Sequence, residues 1–281
     1  MLAASPISDP TQTLEQMRTN LDALAHMFPP QPGVTSSPAQ TGGVRAEWIR
    51  PEGAQRDRVI LFVHGGGYTV GSIDSHRDLA ARVAKAANMA ALAFDYRRAP
   101  EHPFPAALDD ALHAFRWLVA EGHPSSSIAL VGDSAGAGLA IATALALRDA
   151  GEGMPGALAC MSPWVDLVCD TPSLVNSTDP LMQPGPVGFM AMGYLAGQDP
   201  RTPLISPLYA DLKGLPRTLV QVGGAEGLRD DGERFAARAR EQGVDVTLEV
   251  WDDMFHAWQL FAVMLDDGQR AIEKLGAFVR A

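Results

Sequence analysis

The spacing of apolar positions changes character early in this chain. In "DPTQTLEQMRTNLDALAHMF", Leu14, Met17, Leu21, Leu24 and Phe28 recur at intervals of three and four, which makes one apolar helix face. Asp9 as N-cap with Pro10 at the first helical position marks its expected start. The Pro/Gly/Ser/Thr-rich connector "PPQPGVTSSPAQTGG" ends it. From residue 44 short apolar runs alternate with helical stretches. "VRAEWI", "RVILFV", "MAALAFDY", "SIALVG", "ALACMS", "RTLVQVG" and "VTLEVW" read as strands. Helices are predicted over about 75–88, 105–121, 135–150 and 229–242 and from about 266. Continuous apolar strands of this kind are covered on both faces, and their alternation with helices predicts an α/β fold with a mostly parallel sheet.

One stretch breaks the alternation. Residues 170–212 are rich in Pro, Gly and Met, as expected of an insertion lying over the sheet as a lid. The division that follows is an N-terminal cap segment over 1–43 and a catalytic domain over 44–281 that carries the insertion. The length, 281 residues, suits one large core. A hydrophobic share of 47% with 20% charged residues is that of a globular protein rather than a disordered one. The formal charge of −11 argues against nucleic acid or an anionic membrane as partner. The two cysteines, Cys160 and Cys169, lack metal-like spacing and read as free thiols of a reducing compartment. No basic, apolar leader and no spanning segment is evident, so the expected location is the cytoplasm.

In an open α/β sheet, ligands bind beyond the C-terminal ends of the strands. After "SIALV" comes Gly132-Asp133-Ser134-Ala135-Gly136, a G-x-S-x-G elbow that lifts a serine hydroxyl out of a sharp strand-to-helix turn. After "RVILFV" comes His64-Gly65-Gly66-Gly67-Tyr68, whose glycines leave backbone N–H groups free for a developing oxyanion. A P-loop would require a following Lys-Ser/Thr, and there is none. The serine needs a base. Of seven histidines, His256 in "WDDMFHAW" alone follows the last strand, while His64 more naturally braces its loop. The order Ser, acid, His then asks for a carboxylate after "RTLVQVG". The stretch "VQVGGAEGLRDDGERFA" offers Glu226, Asp230, Asp231 and Glu233. Glu226 lies in the turn itself. Asp230, one helical turn on, competes with it but suits the helix start, and Asp231 and Glu233 read as surface charge.

Taken together, "HGGGY", "DYRRAPEHPFPAALDD", "GDSAG", "SPWVDL" and "FH" resemble, in the same order, the hormone-sensitive-lipase-like branch of the α/β-hydrolases. The resemblance implies the α/β-hydrolase fold, with a helical cap from the N-terminus and residues 170–212. It implies Ser134 as nucleophile, His256 as base, and oxyanion donors from Gly66, Gly67 and Ala135. Short-to-medium acyl esters are the implied substrates, with no cofactor and no metal. An amidase or lactone hydrolase on the same scaffold is the alternative, and a non-catalytic receptor a remote one, since such relatives lose the histidine. A homodimer is left open. The sequence departs from the pattern at Glu226, where Asp is usual, and at Asp253 and Ala257, where Gly is usual. Tyr68, Asp133, Trp164, Met182, Phe189 and Met190 are the expected pocket residues, joined in the lid by Met192, Tyr194 and Leu195. Arg97, Arg98, Glu101 and Asp110 are expected to form an ion network holding their loop.

Overall fold

The computed structural model describes residues 12–25 and 28–281; the expected cap at Asp9 and Pro10 lies outside them. Eight strands form one sheet: β1 (Val34–Ala39), β2 (Ala46–Pro51), β3 (Gln55–Val63), β4 (Met89–Phe94), β5 (Ile128–Asp133), β6 (Ala157–Met161), β7 (Thr218–Gly223) and β8 (Val246–Trp251). Their spatial order is β1-β2-β4-β3-β5-β6-β7-β8. β1 and β2 are antiparallel to their neighbours, and β4, β3, β5, β6, β7 and β8 run parallel. Between them run the helices α1 (Leu14–Ala25), α2 (Ile73–Ala87), α3 (Ala106–Ala120), α4 (Ala135–Asp149), α5 (Pro172–Val175), α6 (Pro184–Leu195), α7 (Arg229–Glu241) and α8 (Asp266–Arg280).

Successive side chains of a strand point to opposite faces, and each face here has its own core. Val59, Leu61 and Val63 of β3 join Leu130 of β5 and residues of α3, α4 and α7 on one face. Ile60, Phe62 and Val131 join Leu79 and Val83 of α2 and Ile272 and Leu275 of α8 on the other. Double coverage explains why these strands are continuous apolar runs. It also leaves only the strand ends open for a site.

β1 was not expected. Its sequence, Val-Thr-Ser-Ser-Pro-Ala, falls inside the connector and is mostly exposed. An edge strand needs no apolar run and tolerates Pro38, whose missing N–H need not serve the ladder. The expected ion network resolves into separate links. Arg97 pairs with Asp110 at 2.8 Å, Glu101 pairs with Arg18 of α1, and Arg98 donates to the Gly71 carbonyl. Arg18 also donates to the carbonyls of Thr69 and Ala99, and Ser72 donates to Asp22. These bonds clip α1 both to the segment that follows the glycine turn and to the loop after β4, with Leu14, Met17 and Leu21 packed on the core. Among the described residues no helix is long and apolar enough to cross a membrane.

Candidate active site

Ser134 sits between β5 and α4 with φ 52° and ψ −124°, a region that costs a non-glycine residue on the order of 1–3 kcal/mol. The flanks must be glycine for steric reasons. A Cβ on Gly136 would strike the Val63 and His64 carbonyls, and one on Gly132 would strike the Gly136 backbone. The turn therefore tucks against the end of β3 and projects the Ser134 hydroxyl over the sheet. There Oγ lies 2.9 Å from His256 Nε2.

His256 follows β8 and is buried. For Ser134 to donate to Nε2, the imidazole must carry its proton on Nδ1. Nδ1 is buried without a hydrogen-bond partner, and so is Glu226 Oε1, leaving a donor and an acceptor unspent in one site. Glu226 itself is 2% exposed. Its Oε2 accepts from the Ser162 hydroxyl at 2.6 Å and from the Gly223 amide at 3.0 Å. Ser162 Oγ in turn accepts from the Ala257 amide at 3.0 Å. One hydroxyl thus ties the Glu226 carboxylate to the residue after His256.

The other carboxylates of that stretch are engaged elsewhere. Asp230 accepts from the Ser173 amide at 2.8 Å and so holds α5. Glu233 is half-buried, 3.8 Å from Arg229. Asp231 is not surface charge: it is buried and accepts the Val165 and Asp166 amides. The helix start points it inward, under the segment that follows β6, and periodicity on the helix alone did not reveal that segment.

The glycine turn after β3 is braced from below. Gly65 N donates to Asp133 Oδ1 at 3.1 Å, and Asp133 Oδ2 lies 3.3 Å from His76 Nε2. His64 stacks on Tyr96 with ring centroids 4.2 Å apart. Gly66 and Gly67, at φ 111° and 58°, face the cavity. Among the described residues their amides and that of Ala135 donate to no protein acceptor.

The charges in the site are set by burial. Burial pushes His256 below the ordinary histidine value, against the raising effects of Asp179 and Asp133. Burial pushes Glu226 well above the carboxylate range; the Ser162 and Gly223 hydrogen bonds oppose this, and Asp179 and Asp231 add to it. Burial also disfavours charge on Asp133 and His76. Their mutual attraction overcomes it and lowers Asp133 while raising His76. His64 is held neutral, its value lowered by burial to about 3.

A cavity of about 80 Å³ opens over Ser134 and His256, walled by Trp164, Met182, Val187 and Met190, with Leu21 of α1 and Leu260 at its rim. Asp133 also reaches it. Of the expected pocket residues, Tyr68, Phe189, Met192, Tyr194 and Leu195 stand outside this lining. Tyr68 is buried beneath it, stacked on Tyr194 at 3.7 Å, because its positive φ turns it into the core. Phe189 lies on the outer face of α6, 57% exposed, one residue from the inward-facing Met190. Ser162, Asp179 and His76 were not expected in the site. Ser162 was visible only as part of "SPWVDL", and Asp179 lies in the 170–212 insertion, which sequence pattern could not register against the sheet. Among the described residues no cluster of three His, Cys, Asp or Glu side chains could hold a metal.

A strained serine aimed at a buried histidine, beside unspent backbone donors at the end of a parallel sheet, defines a hydrolase site on an α/β scaffold. The family model described as the α/β-hydrolase fold matches residues 60–260. An acetyl-hydrolase of Streptomyces hygroscopicus is 48% identical over 241 residues, 85% of this chain and 80% of that protein. An esterase of Acinetobacter venetianus is 36% identical, over 93% of this chain and 87% of its own. The crystal structure of an esterase from the bacterial hormone-sensitive lipase family superposes with a TM-score of 0.94 at 45% identity, covering 98% of this chain and 93% of that one. The chain belongs to the α/β-hydrolase family, in its bacterial hormone-sensitive-lipase-like branch of carboxylic ester hydrolases.

Proposed function

We propose that the chain is a serine carboxylesterase for short-to-medium acyl esters, working through Ser134, His256 and Glu226 by way of an acyl-enzyme. The observation that carries this reading is the 2.9 Å approach of His256 Nε2 to Ser134 Oγ at the floor of the cavity. His256 takes the hydroxyl proton as Oγ attacks the ester carbonyl. The carbonyl oxygen becomes an oxyanion facing the amides of Gly66, Gly67 and Ala135. The imidazolium returns its proton to the departing alcohol. Water then repeats the sequence on the acyl-Ser134 ester and releases the acid. Glu226 Oε1 is the acceptor available to the Nδ1–H, and it steadies the imidazolium once closure of the site draws the two together; hydrogen bonds of this kind are often long in unliganded enzymes.

The cavity, about 80 Å³, is far smaller than the roughly 300 Å³ or more of drug-sized sites and favours the short end of the acyl range. The relative named an acetyl-hydrolase agrees with that size. The test is hydrolysis of p-nitrophenyl esters from acetyl to decanoyl, with matched anilides to expose amidase activity. Ser134→Ala is expected to abolish turnover. Glu226→Gln is expected to lower kcat by two orders of magnitude or more, and Asp230→Asn to leave it within about threefold. Activity retained in Ser134→Ala refutes the mechanism; the reverse ranking of Glu226 and Asp230 moves the acid along α7.

A further inference from the structure

The lid insertion reaches into the catalytic loops through hydrogen bonds. Ser173 donates through Oγ to the Gly227 carbonyl and exchanges bonds with Asp230, so the insertion is stitched to the acid turn. Asp179 then crosses to the histidine loop. Its Oδ2 accepts the backbone N–H of His256 at 2.6 Å, and its Oδ1 accepts the Leu181 amide at 2.8 Å. The side chain is 2% exposed. Met182 and Ser177, which flank it, would meet a Cβ on Gly227 at 3.1 Å, so this part of the lid lies directly on the acid turn.

Three carboxylates are tied to the surroundings of His256: Glu226 through Ser162 to the residue after it, Asp133 in the elbow beside Ser134, and Asp179 directly on the His256 amide. Their surroundings differ. Asp133 has a partner of opposite charge in His76 at 3.3 Å, which cancels much of its field. Glu226 is held by a hydroxyl and an amide. Asp179 has only neutral amide donors, and among the described residues no Lys, Arg or His side chain forms an ion pair with it. An uncancelled carboxylate beside a buried imidazole stabilises the imidazolium form, which is the form His256 passes through in both half-reactions.

We infer that Asp179 is a positioning residue for the base: it anchors the His256 backbone to the lid, and its carboxylate supports the imidazolium during turnover. The inference rests on the mechanism proposed above, because it gives Asp179 a role only through His256. It makes lid docking a condition for a competent base, because the same insertion walls the acyl cavity with Met182, Val187 and Met190.

The experiment compares Asp179→Asn and Asp179→Ala with the full-length wild type, using p-nitrophenyl acetate across the acid limb of kcat/KM, with thermal unfolding followed in parallel. Asn keeps an acceptor for the His256 amide and removes the charge. Without the anion the imidazolium is harder to form, so the acid limb moves to lower pH, by about 0.5–1 unit. The same loss lowers the plateau of kcat about three- to tenfold with KM little changed. Ala additionally leaves the His256 amide unpaired and is expected to lose about a hundredfold in kcat, with lower stability. A purely structural role would lower the stability of both variants and leave the limb of Asp179→Asn at its wild-type pH. That result, or wild-type kinetics in both variants, overturns the inference. Ser134→Ala in the same series separates the failures. If it is inactive while Asp179→Asn keeps the wild-type limb and plateau, only the role of Asp179 falls; if it retains activity, the mechanism falls as well.

Discussion

Ser162 is the residue through which the Glu226 turn and the His256 loop meet, and its substitution separates hydrogen bonding from backbone strain. Its hydroxyl donates to Glu226 Oε2 and accepts from the Ala257 amide. Ser162→Ala removes a hydrogen bond to an ionisable group, worth about 1.5–3 kcal/mol, and leaves the buried Ala257 N–H without an acceptor, at a cost of about 1–3 kcal/mol. These overlap, since one hydroxyl makes both bonds, so a loss of about 3 kcal/mol is expected. Ser162 also has φ 47°, in the left-handed region that disfavours any Cβ by about 1 kcal/mol or more. Ser162→Gly loses the same hydroxyl and relieves that strain, and is expected to be about 1 kcal/mol more stable than Ser162→Ala despite glycine's greater freedom when unfolded. Both variants should lower kcat by about 10–100-fold and by similar factors, because misplacing Glu226 does not depend on the strain.

Urea unfolding gives the stabilities, provided the m-value is unchanged, and p-nitrophenyl acetate turnover gives kcat. Equal stabilities of the Ala and Gly variants would refute the strain argument. An undiminished kcat in both would refute the claim that this hydroxyl sets the acid. A kcat recovered in Gly alone would mean that backbone conformation, rather than the bond to Glu226, governs the defect.

Ala257 adopts φ 50° and ψ 39°, so Ala257→Gly is expected to gain about 1 kcal/mol, read as a rise of about 2–4 °C in Tm. Met190 walls the cavity over Gly67; Met190→Ala should raise the hexanoate-to-acetate ratio of kcat/KM at least fivefold, and an unchanged ratio would remove Met190 from acyl selection. Burial, aided by the charge of Asp166, raises Asp231 in the folded state from 3.8 to about 8. Its contribution to stability is therefore full below about pH 4 and is lost as pH rises toward 8. Wild type should lose about 3 kcal/mol of unfolding free energy between pH 6 and 9 relative to Asp231→Asn; parallel curves for the two proteins would contradict this.

The parts of the molecule legible in the sequence are those with a local cause. Buried strands such as Arg58–Val63 announce themselves as apolar runs because both faces are covered, and the elbow announces itself because Gly132 and Gly136 admit no side chain. Asp253 and Ala257 stood out as departures from glycine, and both have positive φ, so the pattern had marked real backbone demands. What was hidden depends on contacts between distant segments. β1 is polar because it is an edge. Asp231 carries the spacing of a surface residue, yet α7 turns it under the loop after β6. Met190 and Phe189 are adjacent in sequence, and only the rotation of α6 sends one to the cavity and the other to solvent.

This division has a mechanical consequence. Ser134, Glu226 and His256 leave the ends of β5, β7 and β8, and no single element carries two of them. Parallel strands about 5 Å apart bring the three turns close, but the sheet cannot set side-chain geometry to the tenths of an ångström that proton transfer needs. That adjustment falls to bonds running between turns: Ser134 N to the Met161 carbonyl, Ser162 between Glu226 and Ala257, and Asp179 on the His256 amide. On the mechanism proposed above, each fixes a reacting group without walling the cavity. Substitutions in this set should therefore appear in kcat, while those at Met182, Val187 and Met190, which line the cavity, should appear in the choice among acyl chains.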